Sequence, residues 1–143
     1  MNCYNEVDFL PEVPEYFNLS LEEIEELENV FPYKDYNHTF ASYAVPQELS
    51  DFIQEYFHYP VLTRYQVIKS KVPVHTDLGI VGVKYNYVFQ TGGEQVWTRF
   101  WDMGEIVERV CIKERVWHSL QIDVPHDVTT VDHARISLTV RRQ

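Results

Sequence analysis

GIVGVKYNYVFQTGGEQVWTRFWD, residues 79–102, reads as strand, turn, strand. Its first half is rich in β-branched and aromatic residues. TGGE (91–94) has the composition of a turn, and QVWTRFWD (95–102) follows as the expected hairpin partner. Working outward, VLTRYQVIKSKV (61–72) is a further β-rich run that ends at Pro73. RVCIKERV and WHSLQIDV (109–124) supply one or two more strands, and ARISLTVRR (134–142) the last. The chain is short, with little material for a substrate lid beyond its front segment and DMGEIVE (102–108).

The front of the chain has a different period. LSLEEIEELEN (19–29) predicts a short helix, with Ser20 as N-cap, Glu23 closing a capping box, and Leu21, Ile24 and Leu27 as its apolar stripe. PQELSDFIQEYF (46–57) predicts a second helix. Its Pro46 stands in the first turn, and Leu49, Phe52, Ile53, Tyr56 and Phe57 share one face. Residues 1–18, with two prolines, read as extended chain with an edge strand at EVDFL (6–10). Five to seven short strands after two small helices predict a mainly β fold with flanking helices. The expected form is a jelly roll, or double-stranded β-helix, of cupin-like type.

The 143 residues suit a single domain, 1–143, able to bury a core. Charge divides it. Residues 1–60 carry 13 acidic side chains against one lysine, whereas 61–143 carry 9 acidic and 11 basic. The expectation is an acidic, helix-containing wrapping segment at 1–60 around a β-helix core at 61–143. The net charge of −10 argues against nucleic acid or an anionic membrane as partner. The start of the chain lacks a basic, apolar leader, and no apolar run approaches the roughly 20 residues of a membrane span. Cys3 and Cys111 form neither a disulfide framework nor a thiolate site, so a reducing, cytoplasmic compartment is expected.

The chemistry-bearing residues lie in the back half. PVHTD (73–77) places His75 and Asp77 two apart, and on a strand such residues share a face. An imidazole nitrogen and a carboxylate oxygen can then meet one cation. PHDV (125–128) supplies His126, 49 residues past Asp77. Two histidines and one carboxylate with open positions form the donor set of non-haem Fe(II) oxygenases. Nine residues further on, Arg135 and Ser137 share one strand face while Ile136, Leu138 and Val140 take the other. An arginine turned inward needs an anion, and its planar fork suits a carboxylate. His118 has the parity of Leu120 and Ile122 and is the rival to His126 as distal ligand. His38, His58 and His133 read as surface residues. Trp97, Arg99 and Trp101 alternate along one strand. They either line a pocket mouth or pack, with Arg99 meeting substrate or an acidic loop.

H-T-D at 75–77, P-H-D-V at 125–128 and R-I-S at 135–137, in this order, resemble the Fe(II)/2-oxoglutarate-dependent dioxygenases. Small members related to prolyl hydroxylases and short phage-type oxygenases look most similar, over residues 61–143. The resemblance implies iron held by His75, Asp77 and His126. It also implies that Arg135 and Ser137 bind the distal carboxylate of 2-oxoglutarate, with Tyr65 and Asn86 as further cosubstrate contacts. It implies hydroxylation of a C–H bond by dioxygen, with release of succinate and CO2 and with ascorbate as an accessory reductant. The primary substrate would be a protein side chain or a small molecule. Two features depart from prolyl hydroxylases: QVIKSKVP (66–73) has no glycine, and the anchor is arginine where those enzymes generally use lysine. A jelly-roll binding or virion structural module, and a non-oxidative cupin-like metal protein, are the alternatives.

Overall fold

The computed structural model describes residues 2–32, 40–77 and 82–143. Its strands are β1 (Tyr4–Glu6), β2 (Asn29–Phe31), β3 (Phe40–Ala44), β4 (Val61–Ile68), β5 (Val72–His75), β6 (Val83–Gln90), β7 (Thr98–Asp102), β8 (Glu105–Val110), β9 (Trp117–Gln121), β10 (His126–Val128) and β11 (Arg135–Arg142). The helices are α1 (Leu21–Glu25), α2 (Gln47–Gln54) and a short 3-10 turn at Glu15–Phe17. All strand pairs are antiparallel. They form a seven-stranded sheet ordered β1-β9-β6-β11-β4-β3-β2 and a four-stranded sheet ordered β5-β10-β7-β8. Two facing antiparallel sheets of this order make a jelly roll, mainly β with flanking helices as the strand count predicts. None of the described helices is long and apolar enough to cross a membrane.

The large core lies on the outer face of the seven-stranded sheet. Alternation along β4 and β11 puts Tyr65, Val67, Leu138 and Val140 on that face, and β6 adds Tyr87 and Phe89. Ile24 of α1, Leu49 and Ile53 of α2, and Leu10, Val13 and Phe17 of the leading segment close over them. Ile24, Leu49 and Ile53 are fully buried, each contributing about 1.5–3 kcal/mol. The capping box predicted at Ser20 and Glu23 is present, with both reciprocal hydrogen bonds. Gln54 ties α2 to the sheet, donating to the Tyr59 carbonyl and accepting from the Val61 amide. Residues 1–60 therefore both wrap the sheet and, through β1, β2 and β3, extend it.

Several local expectations are corrected. TGGE does not join a hairpin: β6 pairs with β9 and β11, whereas β7 lies in the other sheet between β8 and β10. The segment crosses between sheets because it packs on the chain leading into β11. The Gly92 carbonyl accepts the Asp132 and His133 amides. A Cβ at Gly92 (φ +93°) would meet Val131 at 2.9 Å, and one at Gly93 (φ +144°) would meet Asp132 at 2.4 Å. The strand read at 79–90 is seen from Val83; 79–81 lie outside the described residues, as does His38. Within DMGEIVE, Glu105 onward forms β8, paired to β7 across a turn at Met103 and Gly104. The edge strand at the start is Tyr4–Glu6, offset from EVDFL. Pro73 does not end a strand but sits inside β5, an edge strand where a missing N–H is tolerated.

Candidate metal and anion site

Between the sheets lies a cavity of about 500 Å³. Strand pairing brings the first ligand residues together on the four-stranded sheet: in β10 and β5, His126 stands directly opposite His75. Their ring centroids are 4.5 Å apart. Asp77 follows β5 by two residues, its amide donating to the Ile122 carbonyl at 3.1 Å. The Asp77 Oδ1 atom lies 3.4 Å from both His75 Nε2 and His126 Nε2. The three ligand atoms all fall within 4.8 Å of one another.

Both rings are oriented by backbone carbonyls. His75 Nδ1 lies 2.8 Å from the Pro73 carbonyl and His126 Nδ1 2.7 Å from that of Val124. A carbonyl only accepts, so each Nδ1 donates to its carbonyl and each Nε2 is left facing Asp77. Three potential ligand atoms thus converge. Their 3.4 Å contacts exceed the ~2.7–2.9 Å of a charge-assisted hydrogen bond. Ligands about 2.1 Å from an octahedral cation stand about 3 Å apart, so the two 3.4 Å contacts are close to the spacing of donors that could share one divalent ion. The side chain of His75 remains 35% exposed, that of Asp77 21% and that of His126 7%. Burial works to raise the Asp77 carboxyl. The rings of His126 and His75 and the nearby Lys84 ammonium outweigh it and hold Asp77 well below the ordinary carboxylate range.

The seven-stranded sheet supplies the other wall. Arg135 and Ser137 of β11 and Asn86 of β6 line the same cavity as His75, Asp77 and His126. Arg135 is only 4% exposed. Its Nε donates to the Thr91 carbonyl at 2.7 Å and its Nη1 to Thr98 Oγ1 at 3.2 Å, while Nη2 is buried with no partner. Burial lowers this guanidinium to about 10. Among the described residues no carboxylate forms an ion pair with it. A fixed, desolvated fork with a free N–H is therefore turned to a cavity that also holds the ligand triad.

Tyr65 lies elsewhere. It sits on the outer face of β4, fully buried, its hydroxyl donating to the Phe17 carbonyl at 2.6 Å. It is a core residue, and burial pushes its phenol up. His118 is also fully buried, in β9 across from Asn86; the ligand cluster is His75, Asp77 and His126, without it. Its Nε2 and the Asn86 Oδ1 are both buried without partners. Trp97, Arg99 and Trp101 do not line the cavity. Arg99 holds Asp127 through two hydrogen bonds of 3.0 and 2.5 Å, and Trp101 Nε1 donates to the same carboxylate. This braces β10 beside His126. His58 and His133 are exposed, as expected. Sequence reading missed Lys84, Gln66 and Thr98, which line the cavity. Lys84 shares parity with Asn86, a signal that was present.

No protein-family model matches the chain, and no curated protein sequence matches it. Solved structures are similar in fold. One is Fe(II)-HppE with the alternative substrate (S)-1-HPP, with a TM-score of 0.53 at 10% identity, covering 82% of this chain and 57% of that one. Hydroxypropylphosphonic acid epoxidase from S. wedmorenis gives a TM-score of 0.52 at 11% identity, covering 82% and 56%. A Bacillus subtilis oxalate decarboxylase with Mn(II) centres gives 0.52 at 11% identity, covering 84% and 29%. The chain thus spans under three-fifths of the epoxidase and under a third of the decarboxylase. At these identities the likeness establishes the cupin-type jelly roll and nothing finer.

Proposed function

We propose that the protein is a non-haem Fe(II)- and 2-oxoglutarate-dependent oxygenase that hydroxylates a C–H bond. The observation that carries this reading is the buried Arg135 guanidinium. Among the described residues it has no carboxylate partner and a free Nη2, and it lines the cavity that His75, Asp77 and His126 also line. A buried cation without a counter-ion is costly unless a ligand provides one. 2-Oxoglutarate has a carboxylate for that fork and a keto-acid end for the metal.

In this reading His75, Asp77 and His126 hold Fe(II) on one face. When bound, Fe(II) with 2-oxoglutarate and dioxygen supplies the oxidation, with succinate and CO2 as co-products. Arg135 and Ser137 bind the distal carboxylate and so orient the cosubstrate. The Pro73 and Val124 carbonyls lock the histidine rings, and the Arg99–Asp127 pair keeps β10 in register. Val72, Val88, Leu120 and Val128 wall the cavity and exclude water. Asn86 stands as a further polar contact. The primary substrate is a protein side chain or a small molecule, and the reducing cytoplasm suits ferrous iron.

The test is anaerobic calorimetry of the Fe(II)-loaded protein with 2-oxoglutarate, followed by succinate assay in air. Binding in the wild type and its loss in Arg135→Gln are expected. The fold neighbours favour a second reading, a cupin-type metal protein that acts without 2-oxoglutarate. Metal binding with no 2-oxoglutarate binding selects it. Absence of metal binding selects a jelly-roll binding or virion module.

A further inference from the structure

The cavity continues past the metal site into a recess of about 300 Å³, sharing Phe31, Phe40, Gln66, Asp77 and Lys84 with it. The recess is basic. Arg64 of β4, Lys84 of β6 and Arg141 of β11 all line it. Their placement follows from register. Thr139 faces Arg64 and Arg141 faces Leu62, so Arg64 and Arg141 are diagonal neighbours, roughly 7–8 Å apart at Cα. Val140 faces Tyr85, which brings Arg141 beside Lys84, and the two cations repel. No carboxylate among the described residues forms an ion pair with any of the three. Asp77, the metal-ligand candidate, is the only acidic residue among the described residues that line the joined cavity. With Arg135 at the other end, 4 of the chain's 12 Lys and Arg line this one space, in a protein of net charge −10. Ser42, Gln66 and Thr139 add hydrogen-bonding groups between the cations.

We propose that this recess binds an oxyanion group, a carboxylate or a phosphate, on a small primary substrate whose reacting carbon then lies at the metal. Assigning the group to the primary substrate rests on the oxygenase reading, in which 2-oxoglutarate occupies Arg135; the anion site itself does not. Arg64 and Arg141 present planar forks from adjacent strands, and Lys84 adds a point charge next to Asp77. Arg64 and Arg141, like charges on neighbouring positions with no ion-paired carboxylate among the described residues, favour an anion of matching size. The recess is walled by Phe31 and Phe40, which suits a small molecule entering end-on.

The experiment is calorimetric titration of the Mn(II)-loaded, oxygen-free protein with phenylphosphonate, benzoate and benzyl alcohol. At least one anion binds, weakening with added salt, and benzyl alcohol does not. Arg64→Gln and Arg141→Gln each weaken that binding by roughly tenfold, and Arg64→Lys recovers part of it. Arg135→Gln leaves it within about twofold, since that side chain lies at the far end. The stronger of the two anions identifies the substrate as phosphate- or carboxylate-bearing. Failure of both anions to bind a protein with a normal thermal transition overturns the proposal. So does loss of binding in Arg135→Gln with retention in Arg64→Gln and Arg141→Gln. 2-Oxoglutarate, titrated into the same samples, separates the two readings. Its failure while phenylphosphonate or benzoate binds overturns the oxygenase reading alone.

Discussion

The two faces of the seven-stranded sheet are built from the same strands and do opposite things. On β11, Ile136, Leu138 and Val140 enter the large core under the helices, while Arg135, Ser137, Thr139 and Arg141 line the cavity and its recess. On β4, Tyr65 and Val67 face the core, and Arg64, Gln66 and Ile68 face the cavity. A jelly roll of this design does not depend on its barrel interior for most of its packing. The interior clusters are small: Ile68, Val72, Val96 and Val131 in one, and Cys3, Phe100 and Leu120 in the other. The outer core carries the stability, which frees the inner face to hold unpaired cations and convergent ligands. The leading segment, with Ile24, Leu49 and Ile53, is what makes that division workable.

The largest effect that sharpens this contrast is on metal binding. Asp77→Ala is expected to weaken Co(II) or Fe(II) binding by more than roughly a hundredfold, followed by the Co(II) absorption spectrum. The metal-free unfolding midpoint at neutral pH should fall only modestly, through loss of the carboxylate that the histidine rings and Lys84 stabilise in the fold. Next comes Leu138→Ala on the outer face, which is fully buried and should cost about 2–5 kcal/mol in urea denaturation. Its neighbour Ser137→Ala should cost about 1 kcal/mol or less. Equal costs for the two would break the contrast between faces.

His118 gives a pH-dependent test of the inner face. Burial, with repulsion from Arg135 and Lys84, holds its pKa at about 4, against a pull upward from the Val116 carbonyl. The unfolded chain, near 6.5, therefore binds more protons between the two values. Stability should fall as pH drops from about 6.5 toward 4, by up to roughly 3 kcal/mol. His118→Gln should flatten that segment of the stability–pH curve, read by chemical denaturation; an unchanged slope would show that the ring is not held neutral. The smallest effect is that of Tyr65→Phe. It removes one buried hydrogen bond and should cost about 1 kcal/mol, leaving 2-oxoglutarate affinity unchanged. A drop in that affinity would return Tyr65 to the cavity side.

How much of this was legible follows from the range of each signal. The i, i+2 relation is local, so His75 with Asp77, and Arg135 with Ser137, could be read as pairs from five or three letters of sequence. The capping box at Ser20 and the apolar faces of both helices are local in the same way. Tyr65 shows where local reading stops. Its face relative to Ser137 depends on the register of β4 against β11, in which Ser137 meets Gln66 and Leu138 meets Tyr65. Shifting that register by one residue would have turned Tyr65 inward. The misread hairpin at TGGE has the same origin. Turn composition predicts a reversal, but which sheet receives the next strand is set by packing of Gly92 and Gly93 against residues 131–133.

The sequence by itself determined the mainly β character, the two capped or proline-started helices, and the residue types gathered for a metal and an anion. These follow from side-chain chemistry and short-range periodicity. Tertiary structure alone decided that His126 stands opposite His75, that Arg135 has no carboxylate partner among the described residues, and that Arg64, Lys84 and Arg141 line one end of the cavity. Each of those facts is a relation between strands far apart in the chain. Such relations are fixed by burial of the outer core, where Leu138 and Tyr65 must face the helices, and the inner face takes its register from that requirement.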